Sequence, residues 1–212
     1  MDPPPIARRL AAILAADVAG YSRLMAEDEE ATLRTLELYR STVSDLIGEH
    51  AGRIFGTAGD SIIAEFSSAV QAVRAAVAIQ RSLHRHNADL PHARRMELRI
   101  GINIGDVMAN GDDLLGDGVN IAARLQGVAA PGGICISGSV REHTEGKLNF
   151  MLTALGERSL KNIPRPVTVY GVEWRPEDPV ATGVLGGELI SRCELSWQAW
   201  VNSDGLRRLG QY

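Results

Sequence analysis

Apolar positions along the chain alternate between short compact runs and longer periodic stretches. "LAAILAADVAG" (10–20) is a compact apolar run that ends in Asp17, Val18, Ala19 and Gly20, the pattern of a buried central strand feeding a loop. From 25 to 50 the apolar residues recur at 33, 36, 39, 43, 46 and 47, which predicts one amphipathic helix. Its acidic segment 27–30 lies in the first turns, where the helix dipole favours negative charge. Residues 53–56 and 61–66 read as the arms of a hairpin with Asp60 in its turn. Ser67 or Ser68 caps a second helix, apolar at 69, 72, 73, 76, 79 and 83 and basic at its end in "RSLHRH". That placement predicts His84 and His86 as exposed helix-end side chains. "MELRIGINIGDVMA" (96–109) predicts a strand whose glycines mark a turn or bulge.

The order strand, helix, strand, strand, helix, strand predicts an α+β domain with a ferredoxin-like βαββαβ core. Such a core puts both helices on one face of a mostly antiparallel sheet. A C-terminal αβαβ(β) extension follows: a helix over 118–127, a strand at "GICIS", a brief helix near 138–144, and two or three strands from 148 to 174. Pro176, Pro179, Gly183, Gly186 and Gly187 mark a linker. The domain is therefore expected over 1–176, with 177–212 a linker and partly disordered C-terminal tail.

Composition acts mainly by exclusion. A chain with 45% hydrophobic and 23% charged residues is an ordinary globular one, and a net charge of -4 offers no basic field for nucleic acid. Asp17 interrupts the first apolar run too early for it to span a bilayer, so no membrane contact is expected. Cys135 and Cys193 form neither metal-ligand spacing nor a disulfide framework, which points to a reducing cytoplasm.

Two pairs of residues carry candidate chemistry. Asp17 and Asp60 fall at strand ends that can be neighbours in this fold, and paired carboxylates suit Mg²⁺, a hard cation that prefers oxygen. Taken singly, Asp17 is as well read as a loop cap and Asp60 as a turn residue. Asn120 and Arg124 lie four apart on one helix face, and an Arg fork suits a phosphoryl group.

Together these segments resemble the class III nucleotidyl cyclase catalytic domain, the adenylyl and guanylyl cyclase family, in its bacterial form. The matching stretches are "AADVAGYS", "GTAGDSIIAEF", "RIGINIGDV", "GDGVNIAARL" and "LGERSLKNIPRPVTVYGV", over roughly residues 8 to 174. The resemblance implies a lyase that converts ATP to 3′,5′-cyclic AMP and pyrophosphate for signal transduction. Asp17 and Asp60 would bind two Mg²⁺ (or Mn²⁺) ions. The loop Val18, Ala19, Gly20, Tyr21 and Ser22 would turn backbone amides toward the triphosphate. Asn120 would position the ribose, Arg124 would stabilise the α-phosphoryl transition state, and Lys161 would hold the triphosphate. It further implies a head-to-tail homodimer with shared sites, and a regulatory domain in a longer parent protein.

Base recognition is where the sequence departs from that pattern. The resemblance implies an Asp seven before the ribose-binding Asn in adenine-selective members, and Asp113 stands there, able to accept from an adenine amino group. Four residues before Asp60, where adenine-selective members carry Lys, stands Gly56. Strand alternation puts Ile54 on the face of Gly56 and turns Arg53 away from it. The alternatives are a catalytically weak or inactive regulatory module on the same fold, and a cyclase with relaxed base choice that accepts GTP.

Overall fold

The computed structural model describes residues 8–110 and 113–176, without the side chains at 57, 58, 109, 110 and 113. Its elements run β1 (Arg8–Val18), α1 (Tyr21–Glu27), α2 (Glu29–Glu49), β2 (Gly52–Ala58), β3 (Ser61–Phe66), α3 (Ala69–Ala88) and β4 (Leu98–Asn110). Then come β5 (Asp113–Leu115), α4 (Asp117–Val128), β6 (Ile134–Ser137), α5 (Gly138–Thr144), β7 (Met151–Arg158) and β8 (Val167–Glu173). One sheet takes them in the order β2-β3-β1-β4-β6-β8-β7, with β5 folded back on the end of β4. The β4–β6 pair is parallel and the others are antiparallel. This is the expected ferredoxin-like core, extended on the β4 side.

The alternation of β1 sorts the two faces. Ala12, Leu14, Ala16 and Val18 join α2 and α3 in the main core, among Val43, Ile47, Val73 and Ile79. Ala11, Ile13 and Ala15 face the other way, against Val119 and Ala122 of α4 and against Phe55 and Leu114. Asp17 continues this second series to the end of the strand.

Glycines set how closely α4 approaches. A Cβ on Gly101 would lie 2.2 Å from the amide nitrogen of Gln126, and one on Gly105 would lie 2.8 Å from the Cα of Gly118. The glycines of β4 were expected to mark a turn or bulge. They instead sit in an unbroken 13-residue strand and admit the helix backbone, a packing role that alternation alone does not reveal.

Two other expectations are corrected. The single helix over 25–50 is two helices: Asp28 has extended backbone and its carboxylate accepts from the amide of Ala31 at 3.0 Å, capping α2 anew. His86 is not exposed. It is 6% accessible and lies 6.2 Å, ring to ring, from Tyr39. Positions 79, 83 and 86 carry the apolar face of α3 to its last turn, and that spacing was readable. His84 is exposed as expected, its ring edge-on to Trp174. Of the two candidate caps, Ser68 serves, accepting from the amide of Gln71. The expectation for 177–212 lies outside the described residues, and among those described no helix is long and apolar enough to cross a membrane.

Candidate nucleotide and metal site

The end of β1 and the β2–β3 turn bring Asp17 and Asp60 together. Asp60 follows Gly59 in a turn that requires a positive φ of 59°, and its carboxylate accepts from the amide of Val18 at 3.1 Å. Arg40 of α2 donates to the carbonyl of Gly59, which fixes the turn from behind. Burial pushes the Asp17 carboxyl above its ordinary range; the hydrogen bond and charge of Arg99 pull it down, and the charge of Asp60 adds to the rise. Like charge this close is what a bound cation would relieve, so the pair fits a divalent ion. Among the described residues no group of three or more His, Cys, Asp or Glu side chains could hold a metal. Two carboxylates with coordination completed by phosphate oxygens are the fitting arrangement for Mg²⁺.

Arg99 was missed by the sequence reading. It stands directly opposite Asp17 in the β1–β4 ladder and meets it with two hydrogen bonds. The signal was available only through register: "LRIGI" does not say which residue pairs with Asp17 until the strands are aligned.

The loop after Asp17 divides its amides. Val18 donates to Asp60, and Ala19 donates to the carbonyl of Glu97 at 2.8 Å, so these two serve the fold. Gly20, in left-handed backbone at φ 71°, turns the chain into α1, where the amides of Tyr21 and Ser22 have no intrahelical acceptor.

The remaining residues gather around α4. Asn120 and Arg124 share its exposed stripe with Asp117, and neither bonds Asp17 or Asp60 among the described residues. Leu160 is buried in one cluster with Leu125 and Ala129, so the exposed Lys161 emerges beside the helix that carries Arg124. Phe55 is buried with Leu114 and Val119, which brings Gly56 to β5 and the first turns of α4. The side chain of Asp113 lies outside the described residues; its backbone pairs with Asn110. One chain thus presents two groups of candidate site residues, a carboxylate pair and a set on and around α4.

The face of Gly56 differs from expectation. Ile54 pairs with Ala64 and Gly56 with Ile63, so Phe55 is an inserted bulge residue. Ile54 belongs to the α2–α3 core, whereas Arg53, opposite Glu65, shares the face of Phe55, Ile63 and Gly56. Alternation fails here because one extra residue reverses it.

The sequence profile of the adenylate and guanylate cyclase catalytic domain matches residues 8–173. The Rhizobium meliloti protein named "Putative adenylate cyclase 3" is 45% identical over 174 residues, 82% of this chain and 29% of that protein. An adenylate cyclase of Streptomyces coelicolor is 32% identical over 64% of this chain and 34% of its own length. The crystal structure of an adenylate/guanylate cyclase/hydrolase from Silicibacter pomeroyi superposes with a TM-score of 0.75 at 42% identity, covering 79% of this chain and 98% of that one. The chain spans between about a sixth and about half the length of the curated relatives it matches.

Proposed function

The chain belongs to the adenylate and guanylate cyclase catalytic-domain family, and from that premise we propose that it closes ATP to 3′,5′-cyclic AMP with release of pyrophosphate. The ribose 3′-oxygen forms a bond to the α-phosphorus, the bridging bond to the β-phosphate oxygen breaks, and the hydroxyl proton passes to solvent.

Asp17 and Asp60 would hold two Mg²⁺ (or Mn²⁺) ions, which supply charge neutralisation at the phosphates and a more acidic 3′-hydroxyl. The Arg124 guanidinium would meet the charge that develops on the α-phosphoryl oxygens, a placement worth far more in a site shielded from water. Asn120 would orient the ribose so that its 3′-oxygen lies in line, Lys161 would hold the triphosphate, and the amides of Gly20, Tyr21 and Ser22 would face its oxygens. Asp113 would accept from the adenine amino group and repel the O6 of guanine. Each site would combine Asp17 and Asp60 of one copy with Asn120, Arg124 and Lys161 of a second, in a head-to-tail homodimer.

The observation that carries this reading is the separation of the residues into two groups, each supported by its own packing. Buried Cys135 and the ATP substrate fit a cytoplasmic setting. The short share of its relatives' length supports a regulatory domain elsewhere in a longer parent.

Gly56 favours a second reading, a module that keeps the fold and binds nucleotide without turnover. Incubation of the purified chain with ATP or GTP and Mn²⁺, followed by separation of cyclic nucleotide and pyrophosphate, decides between them. Cyclic AMP in excess over cyclic GMP supports the first reading; no product at high protein concentration, where a dimer forms, contradicts it.

A further inference from the structure

The bulge at Phe55 places a cation where the sequence offered none. The Arg53 guanidinium carbon lies 4.5 Å from the centre of the Phe55 ring, within range of a cation–π contact. Arg9 approaches the same ring at 5.8 Å, but Glu65 already holds it, with Nη2 2.6 Å from each carboxylate oxygen. Arg53 has no such carboxylate partner among the described residues. Phe55 is 5% exposed and buried in one cluster with Leu114 of β5 and Val119 of α4, so it is a fixed platform. Beside it, a Cβ on Gly56 would meet no atom of the described residues within 4 Å, which leaves open space on the face that Arg53 occupies.

We propose that Arg53, stacked on Phe55 and reaching into the space left by Gly56, is the residue that recognises the purine base. The proposal rests on the cyclase reading and deepens it. A guanidinium presents a planar fork of donors rather than a point charge. It can give one hydrogen bond to a ring nitrogen of adenine and two parallel ones to O6 and N7 of guanine. Base choice is therefore more tolerant than Asp113 alone would dictate: Arg53 supports both purines and favours guanine, in opposition to Asp113.

The test compares the wild type with Arg53→Ala and Arg53→Lys. Calorimetry measures binding of 3′-deoxy-ATP and 3′-deoxy-GTP with Mg²⁺, and steady-state assays give kcat and KM for ATP and GTP. Arg53→Ala is expected to weaken binding of both nucleotides and raise both KM values about tenfold, with kcat within about twofold and the melting temperature unchanged. Arg53→Lys is expected to recover ATP binding but not GTP binding. Unchanged affinities and an unchanged ATP-to-GTP ratio in Arg53→Ala, with an active wild type, overturn the role of Arg53 and leave the cyclase reading standing. A destabilised Arg53→Ala beside an Arg53→Lys equal to wild type for both bases assigns Arg53 to strand stability and also overturns it. A wild type that binds neither nucleotide overturns both.

Discussion

Arg99 and Asp17 face each other across the β1–β4 ladder, joined by hydrogen bonds of 3.0 Å from Nε and 2.8 Å from Nη2 to the two carboxylate oxygens. The two bonds hold the carboxylate in place and leave a lone pair on each oxygen, through which Asp17 would reach a cation in the proposed reading. Asp17→Asn keeps the shape and removes the charge. Cyclic nucleotide formation in that variant is expected to fall by about a hundredfold or more, with the melting temperature within a few degrees of wild type. Parallel rate and melting measurements check this, and a variant that retains its rate removes Asp17 from the chemistry.

The packing of α4 on β4 predicts where a single methyl group is costly. A Cβ on Gly101 would lie 2.3 Å from the carbonyl oxygen of Ala122, so Gly101→Ala must push the helix outward. The expected cost is about 1–3 kcal/mol, read as a melting temperature lower by several degrees. Gly56→Ala is the control: its Cβ meets none of the described residues, and stability should hold or rise slightly.

Burial lowers the tendency of His86 to protonate, and the adjacent charge of Arg85 adds to the effect. The unfolded chain, with an ordinary imidazole near 6.5, then binds more protons than the folded one as pH falls. Stability from the buried neutral ring is complete above about pH 6.5 and is lost as pH drops below it. Melting temperatures at pH 7.5 and 5.5 should show a larger acid loss for wild type than for His86→Gln.

Much of this fold was legible because its periods are clean. The compact apolar run of β1 and the apolar positions of α2 and α3 fix the core, and the spacing of Asn120 and Arg124 places both on one exposed face of α4. What escaped depended on partners distant in sequence. Arg99 became visible only through its register with Asp17, whereas the burial of His86 was open to reading from the spacing 79, 83 and 86 and was overridden by the basic helix end. At Phe55 the local rule itself failed, since a one-residue bulge turned Arg53 toward Gly56. Residues 8–173 also match the cyclase catalytic-domain profile as a continuous stretch, in accord with the motif order.

The claim that two copies share each site is tested most directly by mixing two inactive variants. Asp17→Asn removes a proposed metal ligand, and Arg124→Ala removes an exposed side chain that makes no hydrogen bond or ion pair among the described residues. Each alone should be inactive with ATP and Mn²⁺. Mixed in equal amounts and allowed to exchange, half the dimers carry both lesions in one site and none in the other, so about a quarter of the wild-type rate should return. A mixture no more active than its two components contradicts the shared site.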